Sequence, residues 1–399
     1  MKSPVSMSRV VLALCSAEVL GMAGAFAFPA LLPDFRAEWG LTNTEAGWIS
    51  GIYFAGYALA VPTLTAATDR IDAKRVWLLG TAITALAAVG FAVAAEGFWS
   101  ALALRALGGI GLAGMYMPGL KALVDRVHGP KQPQWISWYT ASFSLGTSGS
   151  FLAAGALAEM WGWRMAFGLS AVLAGLGFLL VAAALAPAPP PPPAEKTPLL
   201  DFRPVLRNRP VMGYVLAYAA HMWELFGLRS WMVAFLAAVA ALSARPPFVA
   251  PATVATLGSL LAMAGSIGGA ALAVRFDRRG FCAVAALLSA TMAAGIGFAA
   301  GWSYGAAVAL VLLYNVVVQL DSAALTTGAV LEAEAGRRGA TIALHSLIGF
   351  TAAFLGPLAF GKVLDVAGGN ASVGAWGLAF LSLALVSALG PVALRRFRR

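Results

Sequence analysis

Three ionisable residues, His221, Glu224 and Arg229, lie in the stretch HMWELFGLRSW, which is flanked on both sides by apolar sequence. Glu18 and Arg105 lie in equally apolar surroundings. An ionised side chain in hydrocarbon costs about 2.5–3.5 kcal/mol on insertion scales, so such residues usually face a cavity or one another. A carboxylate there can exchange a proton, and a guanidinium can hold an oxyanion through paired hydrogen bonds. These five residues are the first candidates for a functional site.

The elements that carry these residues are predicted to be transmembrane helices. Of the 399 residues, 60% are hydrophobic and 11% are charged, and the mean hydropathy is +0.81, whereas a soluble domain has about 25% charged residues. The apolar stretch from Val10 to Leu32 is too long for the core of a cleavable signal and is predicted to be the first span. Apolar windows of about 20 residues predict twelve spans, which are residues 10–33, 45–67, 76–95, 99–124, 134–157, 165–186, 211–241, 252–274, 281–300, 303–330, 340–363 and 373–394.

A proline-rich stretch divides the spans into two sets of six. We expect residues 1–186 to form an N-terminal six-helix half, 187–210 a cytoplasmic linker, and 211–399 a C-terminal six-helix half. With the N-terminus inside, 21 of the 27 basic residues fall on one side of the membrane. The positive-inside rule therefore predicts that both termini are cytoplasmic in a multi-pass cell-membrane protein.

The two halves show an internal repeat. Glu18 in EVLG aligns with Glu224 in ELFG, and Asp69 lies 51 residues after Glu18, while Asp277 lies 53 residues after Glu224. Two matches at nearly constant spacing indicate duplicated halves, as in carriers whose substrate site lies between parallel repeats.

These features resemble the major facilitator superfamily over essentially the whole chain. The pair Asp69-Arg70 matches the acidic/basic loop between helices 2 and 3 of that family, although Thr65 and Asp72 stand where the family has glycine. The run LALRALGGIGLAG around Arg105 resembles its helix-4 arginine motif. The resemblance implies an all-α membrane protein of twelve transmembrane helices in two pseudo-symmetric six-helix bundles. It also implies cytoplasmic gate contacts, at positions that here are Asp69, Arg70, Asp277 and Arg278.

Helical spacing groups further polar residues with the five candidates. At 100° per residue, His221, Glu224 and Trp231 share a stripe, whereas Arg229 lies about 140° from Glu224. Arg229 therefore requires a partner from another helix, a bound anion, or a helix break near Gly227. The same spacing predicts three other helix faces, which consist of Glu18, Met22, Ala25 and Pro29; of Arg105, Gly109, Leu112 and Tyr116; and of Asn315, Gln319, Ser322 and Thr326.

Asp321 lies about 120° from Asn315 and is expected to contact another helix or the cytoplasmic gate. We assign Arg105, Arg229, Tyr116, Asn315, Gln319 and Trp231 to substrate binding and Glu18, Glu224 and His221 to proton coupling. For each of these residues the alternative is a structural role, as a fixed ion pair, a hydrogen bond between helices or a packing group.

Secondary transport is the function that these features favour. The sequence has no GxxxxGK[ST] or HExxH motif, and its two cysteines, Cys15 and Cys282, fall in or beside spans, so we expect no enzyme activity, metal or cofactor. The basic residues gather in short loops, which excludes a nucleic-acid partner.

Two central arginines favour a small organic or inorganic anion as the substrate, and we expect its proton-coupled uptake by alternating access. The protein is expected to act as a monomer in the lipid bilayer. One alternative is proton-driven export of amphipathic or cationic compounds, which the absence of the helix-5 glycine-proline motif from SLGTSGSFLAAG disfavours. The other is a membrane sensor on the same fold that transports nothing.

Overall fold

The computed structural model describes residues 7–188, 190, 201–243, 246–334 and 336–398, without the side chain of Pro133. Within these ranges the regular secondary structure is helical, with no strand. The N-terminal helices are α1 (Met7–Gly21), α2 (Ala27–Ala30), α3 (Leu32–Trp39), α4 (Asn43–Ala67), α5 (Ala73–Ala94), α6 (Phe98–Val124), α7 (Gln132–Trp161) and α8 (Trp163–Ala184). They are followed by α9 (Arg203–Arg207), α10 (Arg209–Leu242), α11 (Pro251–Arg275), α12 (Arg278–Ile296), a 3-10 helix (Gly297–Gly301), α13 (Tyr304–Val318), α14 (Ser322–Leu331), α15 (Arg338–Val366), α16 (Val373–Ser387) and α17 (Leu389–Arg396).

Ten stretches of the described chain are long and apolar enough to cross a membrane. Each overlaps one of the twelve predicted spans. The two other predictions are span 10–33, which is interrupted between α1 and α2, and span 134–157, which lies within α7 but is not among the ten. The structure therefore supports a multi-pass helical protein without confirming the count of twelve.

The chain forms two compact units. Unit 1 contains the described residues within 1–27 and 56–199, and unit 2 those within 28–55 and 200–399. Part of the predicted linker, residue 189 and residues 191–200, lies outside the described chain. At its end, residues 203–207 form α9, where Val205 is buried in an apolar cluster. The division at 1–186 and 211–399 remains a prediction, since residues 28–55 group with unit 2.

In unit 1, the start of α5 is tied to the end of α8. The Asp72 carboxylate caps α5 by accepting a hydrogen bond from Lys74 N at 2.9 Å. The Lys74 ammonium donates to the carbonyls of Ala182 and Leu185 at 2.8 and 2.5 Å, so a cation satisfies the last acceptors of α8.

Unit 2 repeats this arrangement. Asp277 caps α12 by accepting from Gly280 N at 2.7 Å, and Arg279 donates to the carbonyls of Leu394 and Phe397 at 3.0 and 3.3 Å, at the end of α17. The structural counterpart of Asp277 is therefore Asp72 and not Asp69, which shifts the repeat alignment of this loop by three residues.

Asp72 also forms an ion pair that fixes the loop after α4. Its carboxylate accepts from Arg126 at 2.7 and 2.9 Å and from Ala188 N at 2.8 Å. Burial disfavours the charge of Asp72, but these hydrogen bonds outweigh that effect and hold its pKa below the usual value.

Candidate transport sites in the two units

Glu18 is fully buried in α1 and has one side-chain partner. Its Oε2 atom lies 2.9 Å from the hydroxyl of Tyr139 on α7, whereas its Oε1 atom has no hydrogen-bond partner among the described residues. The Tyr139 hydroxyl also lies 3.3 and 3.1 Å from the carbonyl oxygens of Met115 and Tyr116. Three acceptors thus compete for the single proton of one hydroxyl.

The first predicted span is broken at residues 22–26, between α1 and α2. Ser150 of α7 bridges the break, because its hydroxyl donates to the Ala23 carbonyl at 2.7 Å and accepts from Phe26 N at 2.9 Å. Arg105 of α6 donates to the carbonyls of Gly24 and Ala25 at 3.3 and 2.9 Å. Two side chains therefore replace the helical hydrogen bonds that the break removes.

This break corrects the expectation of a regular first helix. The predicted face of Glu18, Met22, Ala25 and Pro29 does not continue past Gly21, because helical spacing holds only up to the break. Arg105, buried at 3% exposure, contacts the break itself. Tyr116, from the predicted face of Arg105, stacks on Tyr139 with ring centroids 6.1 Å apart, so the structure brings Tyr116 and Glu18 to the same hydroxyl.

Glu224 is also buried, but it has three side-chain donors. Its Oε1 atom accepts from the hydroxyls of Ser289 and Tyr314, both at 2.7 Å, and its Oε2 atom accepts from Ser387 at 2.5 Å. These donors come from α12, α13 and α16, so one carboxylate joins three helices to α10. An ionised carboxylate, which only accepts, uses all three donors.

The helix that carries Glu224 is continuous, which rules out the predicted option of a break near Gly227. Helix α10 runs from Arg209 to Leu242 without interruption. Gly227 instead allows close packing, since a Cβ atom there would lie 2.5 Å from Leu383 Cδ2 of α16. Arg229 is 2% exposed, and its guanidinium carbon lies 5.6 Å from the centre of the Phe226 ring.

His221 pairs with an acidic residue at a second helix break. Its Nδ1 atom lies 2.9 Å from Asp321 Oδ1, and both side chains are buried. Asp321 lies at residues 319–321, which separate α13 from α14. The prediction that Asp321 contacts another helix is confirmed. The predicted stripe from Asn315 to Thr326 is wrong as a continuous face, because the helix is interrupted at its centre.

The other predicted binding residues of unit 2 lie in the protein interior. Trp231 Nε1 donates to the Pro357 carbonyl at 3.0 Å, and Asn315 Nδ2 donates to the Val311 carbonyl at 2.9 Å within its own helix. Gln319 lies at the end of α13 and is 8% exposed. Both amide oxygens, Asn315 Oδ1 and Gln319 Oε1, are without a hydrogen-bond partner among the described residues.

The predicted gate residues occupy the ends of spans. Asp69 and Arg70 are exposed in the turn at residues 68–70 after α4, whereas Asp277 caps α12 and Arg278 is its first residue. The structure places no two of these four in a described ion pair.

Sequence reasoning missed the hydroxyl groups that surround the charged residues. These are Tyr139, Ser150, Ser289, Tyr314 and Ser387. Each is a polar residue in an apolar span, which is a weak signal because serine and tyrosine hydroxyls also bond to their own helix or reach the membrane surface. No group of three or more His, Cys, Asp or Glu residues in the described chain is arranged to hold a metal ion.

Long apolar helices with buried ionisable groups define a multi-pass membrane protein, and the comparisons identify its family. The chain matches the family described as Major Facilitator Superfamily over residues 14–357. It therefore belongs to the major facilitator superfamily, whose members are secondary transporters. None of the curated proteins compared with the chain is a significant match.

Solved structures share the fold. A bacterial homolog of the human lysosomal transporter Spinster, in an inward-facing and occupied conformation, has a TM-score of 0.75 at 16% identity, with 100% of this chain and 96% of that chain covered. The same homolog in its unoccupied conformation has a TM-score of 0.75 at 18% identity and the same coverage. A mutant of the nucleoside transporter NupG has a TM-score of 0.76 at 14% identity, with 98% and 100% covered.

Proposed function

We propose that this secondary transporter couples the uptake of a small organic or inorganic anion to protons, and that Glu18 carries the proton. The observation behind the proposal is the hydrogen-bond inventory of Glu18. Ionised, it would leave a charged oxygen in a buried site without any donor, at a cost well above that of a neutral group. Protonated at Oε2, it donates to the Tyr139 oxygen, and the Tyr139 proton is then free for the Tyr116 or Met115 carbonyl.

Glu224 is the weaker candidate for the proton carrier. Its three hydroxyl donors suit the ionised carboxylate, so both carboxylate oxygens still have hydrogen-bond donors after the proton is lost. Among the described residues, no lysine, arginine or histidine nitrogen lies within ion-pair distance of either glutamate. A change in protonation therefore alters the net charge of these buried sites directly.

Arg229 is the leading contact for the anion. It is buried in α10 on a face different from that of Glu224, and guanidinium suits the planar geometry of an oxyanion. Arg105 can take part only when it releases the carbonyls of Gly24 and Ala25. Binding an anion together with a proton keeps the net charge of the site constant, which favours symport.

Proton flux into proteoliposomes tests the proposal. A pH dye trapped in the lumen would be monitored while lactate, succinate, phosphate and sulfate are added outside in turn. At least one anion should drive lumen acidification, and Arg229→Ala should abolish it while Arg229→Lys retains part of it. Proton release driven by cationic compounds would indicate the exporter instead, and no solute-dependent proton movement would indicate a sensor.

We further propose that the protein acts as a monomer in the cell membrane with both termini in the cytoplasm. The excess of basic residues in alternate loops supports this orientation of the termini. Cysteine labelling from each side of intact cells, at Arg398→Cys and at Glu96→Cys, would test the orientation.

A further inference from the structure

The end of α15 is joined to the beginning of α4 by a single carboxylate. Asp365 Oδ1 accepts from Asn43 N and Asn43 Nδ2 at 3.0 and 2.9 Å. Asp365 Oδ2 accepts from Thr44 N and Thr44 Oγ1 at 2.7 and 2.6 Å. All four donors lie in the first turn of α4, where free backbone N–H groups and the helix dipole favour an anion. Asp365 thus caps a helix that lies more than 300 residues away in sequence.

The two helices also pack without intervening side chains. A Cβ atom on Gly47 would lie 2.6 Å from the Pro357 carbonyl oxygen, and one on Gly51 would lie 2.4 Å from the Phe354 carbonyl oxygen. From the other helix, a Cβ atom on Gly361 would lie 2.2 Å from the Asn43 carbonyl oxygen. Glycine at these positions allows backbone-to-backbone contact along the first half of α4.

This contact lies within unit 2, to which residues 28–55, called here the helix tip, belong. The chain leaves unit 1 immediately after the break at residues 22–26 and returns to it within α4, between Ala55 and Gly56. The tip is thus joined to α15 at the beginning of α4, and to unit 1 through the break on one side and through the continuous helix α4 on the other. A break of this kind is where a helix can bend.

We propose that Asp365 is a releasable latch that holds the helix tip on α15 in this conformation and opens in the alternate state of the carrier. Its position suits release, because Asp365 is exposed and water can solvate its carboxylate. The glycine contacts define where the tip rests, whereas the carboxylate adds the charge-assisted bonds that must break. The inference depends on the carrier fold and not on the identity of the substrate or coupling ion.

Spin-label distances test the latch without any substrate. Labels at Ala37→Cys on α3 and Val366→Cys at the end of α15 occupy exposed positions, in a background with Cys15 and Cys282 replaced by alanine. Pulsed electron–electron double resonance on the protein in nanodiscs would give the distribution of distances between the two labels. Asp365→Asn should raise the population of a longer distance about fivefold, as expected from loss of a helix cap.

Glu45→Gln is the matched control. Glu45 is also a capping carboxylate, but it accepts from Thr42 N and Thr42 Oγ1, both at 2.9 Å, inside the tip itself. Glu45→Gln should therefore leave the distribution of label distances unchanged. Thr44→Val removes one of the four donors and should produce a smaller shift in the same direction as Asp365→Asn. This second variant keeps the test decisive if Asp365→Asn fails to fold. An unchanged distribution in both latch variants, or an equal shift in Glu45→Gln, would overturn the proposal.

Discussion

Glu18 and Glu224 occupy matching positions in the first helices of the two predicted halves, yet they differ in their supply of hydrogen-bond donors. Glu18 shares one hydroxyl with two carbonyl groups, whereas Glu224 receives three hydroxyls from three helices. The helices differ as well, since the first is broken after α1 and α10 is continuous. The comparison teaches that a repeated buried carboxyl can have a single hydroxyl donor in one copy and join three helices in the other, and this difference is the basis for proposing Glu18 and not Glu224 as the proton carrier.

The sharpest test of this comparison is Glu18→Gln. The glutamine amide can donate to the Tyr139 oxygen as a protonated carboxyl does, but it cannot release that proton. Anion-driven acidification of proteoliposomes should fall to the level of empty liposomes, while the free energy of unfolding changes by less than about 1 kcal/mol. Retained acidification would remove Glu18 as the proton carrier.

Glu224→Gln should have the opposite profile. The amide NH2 group of glutamine would face at least one of the three hydroxyl donors, which leaves a buried donor without an acceptor. The free energy of unfolding in detergent should fall by roughly 2–3 kcal/mol, measured by chemical denaturation. If Glu18→Gln proved the more destabilising of the two, the distinction between a proton site and an assembly site would fail.

Ser150→Ala tests the break that only the first helix contains. It removes the donor to the Ala23 carbonyl and the acceptor for Phe26 N, and should lower the free energy of unfolding by about 1–2 kcal/mol. Ser148→Ala is the control on the same helix, because Ser148 is also buried but, among the described residues, its hydroxyl donates to the Ser144 carbonyl of α7 itself. Equal effects of the two substitutions would show that the bridge over the break contributes little.

The smallest expected effect is the difference in stability lost on replacing each of the two helix caps, Asp72 and Asp277. Asp72→Asn should cost about 1 kcal/mol at pH 7, more than Asp277→Asn, because only Asp72 also pairs with Arg126. Since the pKa of Asp72 is lowered in the folded protein, its stabilisation is present at neutral pH and is lost as the pH falls through that lowered value. Thermal denaturation between pH 7 and pH 3 should show a weaker acid dependence in Asp72→Asn than in wild type. A parallel pH profile would contradict this.

Sequence patterns predicted the membrane class, the approximate spans and the buried candidates, because apolar length and isolated charges are local properties. The helix breaks were not predictable in this way. The sequence suggested a break near Gly227, where the structure has a close helix contact, whereas the break at residues 319–321 contains neither glycine nor proline. A break persists only where other helices supply hydrogen-bond partners, as Arg105 and Ser150 do, and that information is tertiary.

The repeat shows the same limit. Alignment by spacing paired Asp69 with Asp277, but the helix caps in the structure are Asp72 and Asp277. Asp72 stands where the related family has glycine, so comparison with the family motif marks it as a mismatch. In the structure, however, this residue caps α5 and pairs with Arg126. Its role depends on Arg126 and on the end of α8, which spacing does not report.

The attachment of Lys74 to the end of α8, and of Arg279 to the end of α17, has a consequence for biosynthesis. Each cation connects an early helix of its unit to carbonyls that leave the ribosome last. Domains generally fold as units, with the N-terminal unit first during synthesis. The contact between Lys74 and the end of α8 therefore cannot form until Leu185 has been made. Residues 28–55 wait longer, because their partner, α15, is made later still.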